Sequence, residues 1–353
     1  MTAAPLNHMS GEERFKSYLE AAASRGEFNG SALIMREGHT LIDRGFGIAD
    51  RSTDRPNEPR TMFQIASVSK QFTAVAVLFL QERRQLSVED KISKWIPDCP
   101  REWEPIRIHH LLSHTSGIVH WRDLPELDLT VPMGRGDLVR LFQTKPLKFH
   151  PGEGWAYSSP AYVLLAHIVE QVSRESYANF LHRAILRPLG LSDTVSGSDS
   201  MHPGRRARGY ADGDPVRSVE LDALMIGAGD IWSTTHDLRL WDQALASPGQ
   251  LLNRVSLQAM FTAHARLPES APGSMGTMSS YGYGWFLEES GGLPVRYHTG
   301  DNPGFKSINA HIPDLGAVVI LLANDERSDV GAIGEHVITK VTGRSSGGPA
   351  RSD

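Results

Sequence analysis

One cysteine, Cys99, is all that this 353-residue chain carries, so no disulfide can form within it. Its stability has to come from a buried core, which a chain of this length can build, and the lone thiol fits a reducing compartment. Basic residues are not in surplus: 36 Lys and Arg face 41 Asp and Glu, a formal net charge of −5. No excess positive charge is therefore available to neutralise phosphates, and no nucleic-acid partner is expected. Long apolar runs are also missing. The longest, Phe72 to Leu80, is broken only by Thr73 and is far short of the ~20 residues that cross a bilayer, so no membrane association is expected. The first residues, MTAAPLNHMSGEERF, lack a basic stretch followed by an apolar one. A secretion signal is thus not expected, and the cytoplasm is the expected compartment.

What is present divides into three stretches. Ser10 with Glu13 forms a capping-box pattern that opens a helix to about Ser24,. GSALIMREGHTLIDRGFGIAD reads as a β-hairpin turning at Glu37 and Gly38, and Met62 to Ile65 as a short strand,. From about Val88 to Ala265 the pattern is mostly helical. PAYVLLAHIVEQVS (Pro160 to Ser173) starts on proline, and THDLRLWDQALA (Thr235 to Ala246) has Thr234 or Thr235 as its cap,. Strand patterns return in YGYGWFLEE, PVRYHT, KSINAHIP and GAVVILLAN, and an amphipathic helix covers Val330 to Val341,. Strands at both ends with helices between them predict an α+β fold. In it one antiparallel sheet is flanked by the first and last helices, a helical lobe is inserted, and the site lies in the cleft between lobes. We expect a single catalytic domain over 1–343, with an α/β lobe of about 1–66 and 266–343, a helical lobe of about 67–265, and a disordered tail over 344–353.

Ser67 and Lys70 stand where the apolar helix begins. Three residues apart, they share a helix face, so the amine can reach the hydroxyl. A serine is a weak nucleophile until a base takes its proton, and a lysine can be that base only when burial or nearby positive charge lowers its pKa. The first turn of a buried helix supplies an apolar wall and the positive end of the helix dipole. The plain alternative is that Ser67 is an N-cap, and a chain of this composition holds roughly one S-x-x-K by chance.

Further segments in matching order decide between these readings. FQIASVSKQFTA, IRIHHLLSHTSGI, PGEGWAYSSPAYVLLAHIVEQVS, PLGLSDT, GAGDIWSTTHDLRLW, YGYGWF and HTGDNPGFKSINAHIPDLGAVVILLAN resemble the signatures of the serine β-lactamase and penicillin-recognising superfamily. The likeness is to its branch of class C β-lactamases, D-alanyl-D-alanine carboxypeptidases and esterases, and runs from about Asn29 to Asn324. The resemblance implies that Ser67 forms an acyl-enzyme, that Lys70 assists its deprotonation, and that Tyr157 shuttles the proton as a phenolate or as a strong hydrogen-bond partner. It also implies an oxyanion hole from the backbone N–H groups of Ser67 and Asp301, and substrate contacts from Ser159, His298, Thr299 and Gly300.

Two positions depart from the family pattern. Ser159 replaces the asparagine of Tyr-x-Asn, and His298 replaces the lysine of Lys-Thr-Gly. A standing cation that would draw a β-lactam carboxylate becomes a titratable imidazole. The expected activity is therefore that of a serine hydrolase on a small ester or amide, with weak or no β-lactamase action. An acyltransferase passing the acyl group to an amine or alcohol, and a non-catalytic scaffold, are the alternatives.

No cofactor and no metal are expected: His110 and His114 are four apart but lack the accompanying ligands of a zinc site. No G-x-S-x-G stands between a strand and a helix, GLSDT coming close but ending wrongly,. Trp121, Tyr210 and Trp232 are candidates for lining the cleft or for plugging the core. Gly300 and Gly304 read as places where the backbone turns or approaches closely. The oligomeric state is left open.

Overall fold

The computed structural model describes residues 11–127, 131, 133–197, 203–216, 225–268, 271 and 279–343. Ser10 and the tail 344–353, for which a cap and disorder are expected, lie outside them.

The first strand, β1 (Gly30–Arg36), and the second, β2 (His39–Phe46), form the expected hairpin. Glu37 and Gly38, at φ 53° and 78°, supply the left-handed backbone of its two-residue turn,. The remaining strands of this sheet all come from the other end of the chain. They are β3 (Ala265–Arg266), β4 (Ser280–Tyr281), β5 (Phe286–Ser290), β6 (Leu293–Asn302), β7 (Phe305–Ile312) and β8 (Ala317–Ala323). The eight strands run in the order β3-β4-β5-β6-β7-β8-β1-β2, every pairing antiparallel. β1 therefore sits inside the sheet, with Leu33 opposite Ile320 in β8 and opposite Asp43 in β2.

Both faces of this sheet are covered, which is why β1 and β8 read as continuous apolar runs. On one face Ala32, Ile34, Val319 and Leu321 pack under α1 (Gly11–Ser24) and the C-terminal helix, joining Phe15, Leu19, Ile333 and Val337. On the other, Leu33, Met35, Ile320 and Leu322 join the core of the helical part. The central helices are α2 (Ser69–Glu82), α3 (Ser159–Ser173) and α4 (Thr235–Ala246); the C-terminal one, Val330–Val341, is α5. No helix among the described residues is long and apolar enough to cross a membrane.

Three expectations change in detail. YGYGWFLEE is two strands, β4 and β5, because Gly284 (φ 78°) turns the chain where a side chain would run into the Lys70 carbonyl oxygen, 2.9 Å away. Within the mostly helical middle, Val195–Ser196 and Ile231–Ser233 are strands, and they make a three-stranded sheet with Phe63–Gln64, which lies in the short strand expected over Met62 to Ile65. Moreover, α4 packs on β1 and β8 rather than belonging only to the helical lobe. Its cap is Thr234, whose hydroxyl accepts the Asp237 N–H at 3.0 Å, while Thr235 donates to the Pro59 carbonyl.

Candidate active site

α2 is wholly wedged between the sheet and the helical lobe, with Ser69 to Leu78 all buried. One turn of 3₁₀ helix, Ala66–Val68, precedes it and carries Ser67. Ser67 is no cap: the helix residue in that role is Val68, without a side-chain capping bond. Instead the Ser67 Oγ lies 2.9 Å from Lys70 Nζ. Ala66, directly before it, has φ 47°, a left-handed backbone that costs a β-carbon-bearing residue of order 1 kcal/mol. The neighbouring strand helps to hold this turn. Ser307 Oγ of β7 donates to the Ile65 carbonyl at 2.7 Å. Gly300 of β6 comes so close that a β-carbon would sit 2.4 Å from Ile65 O and 3.0 Å from Ala66 Cβ. The glycine is needed for that approach, as the sequence suggested. Gly304 (φ 79°) makes the β6–β7 turn against Gly209.

Lys70 has no exposed surface. Its Nζ donates to the Ala228 carbonyl at 2.7 Å and lies 3.2 Å from Ser159 Oγ as well as 2.9 Å from Ser67 Oγ. Burial holds its pKa well below the ordinary lysine range, and only the charge of Asp230 opposes this,. Tyr157 enters from the segment before α3, and the Lys70 Nζ is 4.9 Å from its ring centre. Burial raises the Tyr157 pKa, while Ser67, Arg122 and Ser159 act the other way. Burial thus pushes amine and phenol alike toward their neutral forms. A lowered amine pKa weakens the cation that a resting Tyr157 phenolate would need, and burial of the phenol acts in the same direction,. A neutral amine beside a hydroxyl can accept its proton.

These groups open on a cavity of about 900 Å³ whose walls include Ser67, Tyr157, Ser159, His298, Thr299, Gly300, Asp301 and Trp121. His298 is not a cation there. Its Nδ1–H donates to the Thr299 carbonyl at 2.6 Å, its Nε2 pairs with the Tyr281 hydroxyl at 2.9 Å, and burial holds its pKa down to about 3. Both ring nitrogens are used inside the protein. At the rim, Lys148 pairs with Asp123 at 2.5 Å, Lys306 with Asp301 at 2.9 Å, and Arg327 with Asp325 at 2.8 Å. Arg122 also lines the cavity, and among the described residues no carboxylate pairs with it.

Of the other aromatic candidates, only Trp121 reaches the cavity. Trp232 is buried against Phe305, and the ring of Tyr210 lies under Arg51 while its hydroxyl accepts the Arg51 N–H. His110 and His114 share no face: the helix Ile108–Leu112 ends between them. His110 accepts the Arg107 N–H, whereas His114 is buried against Tyr157. No group of three or more His, Cys, Asp or Glu suited to a metal occurs among the described residues.

The sequence reading did not find the Ala228 carbonyl, His120, Arg122 or Tyr281. The backbone acceptor leaves no side-chain signal, and His120 and Arg122 follow the quoted HTSGI segment but have no spacing that marks them.

Comparisons with known proteins agree with this architecture. The chain is 30% identical over 335 residues to penicillin-binding protein 4* of Bacillus subtilis (89% of this chain, 72% of that protein). It is 30% identical over 336 residues to esterase EstB of Burkholderia gladioli (75% and 83%). Among solved structures, D-amino acid amidase of Ochrobactrum anthropi superposes with a TM-score of 0.80 at 25% identity, covering 94% of this chain and 97% of that one. The octameric penicillin-binding protein homologue of Pyrococcus abyssi gives 0.84 at 23% identity (95% and 78%), a likeness of fold. The beta-lactamase family model matches residues 15–341; the chain belongs to the beta-lactamase family.

Proposed function

We propose that the protein is a serine hydrolase that cleaves a small ester or amide through an acyl-enzyme on Ser67. The observation that carries this reading is the enclosed Lys70 amine, 2.9 Å from the Ser67 hydroxyl at the wall of an open cavity, with its pKa held well below the ordinary lysine range by burial. With one N–H on the Ala228 carbonyl and another toward Ser159, the amine's lone pair is left for the Ser67 proton. Ser67 Oγ bonds to the acyl carbon as its proton passes to Lys70, and the carbonyl electron pair moves onto oxygen. The N–H groups of Ser67 and Asp301 receive that oxyanion; the contact of Gly300 with the Ala66 turn brings the two segments together. Collapse of the adduct breaks the bond to the alcohol or amine, which takes the proton back by way of Tyr157. Water repeats the sequence and frees the acid.

The relatives named an esterase and a D-amino acid amidase support this substrate range. A neutral His298 with both nitrogens engaged offers no counter-ion to a β-lactam carboxylate, so turnover of cephalosporins is expected to be slow. A fluorophosphonate probe followed by peptide mass spectrometry tests the reading: we expect one adduct on Ser67 and none in Ser67→Ala. Labelling that persists in that variant overturns it. Added amine or alcohol acceptors separate hydrolysis from transfer, since a transferase would divert acyl product from free acid to the acceptor.

A further inference from the structure

We propose that His114 is a positioning residue for Tyr157, holding the tyrosine segment from both sides; the inference rests on the role of Tyr157 proposed above. The His114 carbonyl accepts the Ala156 N–H at 3.0 Å, and its ring Nδ1 accepts the Ser158 N–H at 3.2 Å. The N–H groups of the two residues that flank Tyr157 are thus both held by one residue. Its ring also lies against the Tyr157 ring, centroids 4.5 Å apart.

Three further features show how specific this arrangement is. First, His114 has φ 60°. A left-handed backbone is unfavourable for a side-chain-bearing residue, although histidine is among those that tolerate it best. That conformation lets backbone carbonyl and ring nitrogen reach the same short strip of chain. Second, the residue is fully buried, enclosed by Trp155, Tyr157, Tyr162 and Tyr281. An apolar side chain could fill the space but could not accept from the Ser158 N–H, and an orphaned buried donor costs roughly 1–3 kcal/mol. Third, because Nδ1 accepts, the ring is neutral with its proton on Nε2, a buried donor without a hydrogen-bond partner among the described residues, and burial holds its pKa well below the usual histidine value. The acceptor therefore does not titrate away at working pH. Ser158 adds a second anchor: its hydroxyl donates to the Val119 carbonyl and caps α3 by accepting the Ala161 N–H. The phenol is held between a rigid helix start and the His114 turn.

The test is the rate of fluorophosphonate labelling of Ser67, with near-UV circular dichroism as the check on folding. His114→Gly suits φ 60° without strain but lacks both ring and acceptor, whereas His114→Asn keeps a left-handed backbone and a side-chain oxygen. We expect His114→Gly to label about 30-fold more slowly, the scale of a misplaced catalytic group, and His114→Asn to stay within about fivefold of the parent. In a Tyr157→Phe background the His114→Gly loss should vanish, because the effect travels through the phenol. Unchanged labelling of folded His114→Gly, or an equal loss with and without the Tyr157 hydroxyl, overturns the proposal. Should the glycine variant not fold, His114→Asn decides: a folded protein labelling more than about 20-fold slower than the parent refutes it. Failure of the parent itself to label at Ser67 would instead refute the proposed function.

Discussion

Asp242 on α4 carries the sharpest consequence for stability. It is 2% exposed; its Oδ1 accepts from Asn309 Nδ2 at 3.2 Å, and its Oδ2 has no partner among the described residues. Asn309 and Trp241 also donate to Gln71 Oε1, so the carboxyl sits in a small polar knot between α2, α4 and β7. Burial pushes its pKa from 3.8 up to about 8, the Asn309 hydrogen bond opposing this. Between those values the folded state binds a proton that the unfolded state has released, so stability falls as pH rises from about 4 to about 8. Integrating between pH 5 and pH 8 gives a loss of order 3–4 kcal/mol from this one group. Asp242→Asn keeps an acceptor for Asn309 and cannot ionise, so this part of the decline should disappear in it. With ~2 cal/mol/K per residue of unfolding entropy, the effect is roughly 4–5 °C in Tm for a chain of this size. Thermal or urea unfolding of both proteins at pH 5, 6.5 and 8 measures it. Parallel pH dependences for the two proteins would show that Asp242 is ionised in the native state, and the reasoning would fail.

Gly300→Ala should leave the fold intact yet reduce esterase kcat by at least about 100-fold, since its β-carbon would press on Ile65 O and Ser307 Oγ and displace the strand from Ser67,; p-nitrophenyl acetate kinetics with circular dichroism measures both. Tyr157→Phe should lower kcat by about 10²–10³-fold, the usual worth of a positioned proton donor, and near-parent kcat would remove the phenol from the proton path. Because Lys70 is depressed below its ordinary range, kcat/KM should decline toward acid as the amine protonates, with a midpoint well below 10.5; a pH–rate profile limited only near that value would contradict the buried-amine assignment. Arg122→Ala should raise KM for p-nitrophenyl hemisuccinate relative to the neutral butyrate ester about 5–10-fold, as expected for loss of a cation at the cavity mouth; equal changes for both esters would show that its charge is not used.

Much of the architecture could be read from the residues. The continuous apolar runs in β1 and β8 are what burial on both faces requires, and Glu37-Gly38 marks its turn. The Ser67–Lys70 spacing led directly to the observed 2.9 Å contact. Readings failed where tertiary contacts decide. The break between β4 and β5 comes from close passage over Lys70, and α4 docks on the sheet although its sequence lies among helices of the other lobe. The sequence shows His298 only as a titratable imidazole; the placement of Tyr281 and the Thr299 carbonyl shows both nitrogens occupied. Ser67 illustrates the limit of local rules, for a serine before an apolar helix is ordinarily a cap and here it is not,.

β1 lies between β2 and β8, so a strand completed within the first forty residues waits for one made after residue 316. During synthesis the β1 edge of this hairpin stays open until residues 317–323 have left the ribosome. Closing that gap spans almost three hundred residues, a slow event by the rule that distant pairings retard folding. Ribosome-bound intermediates that stop short of residue 317 would therefore expose an unpaired apolar strand, the kind of surface that chaperones cover.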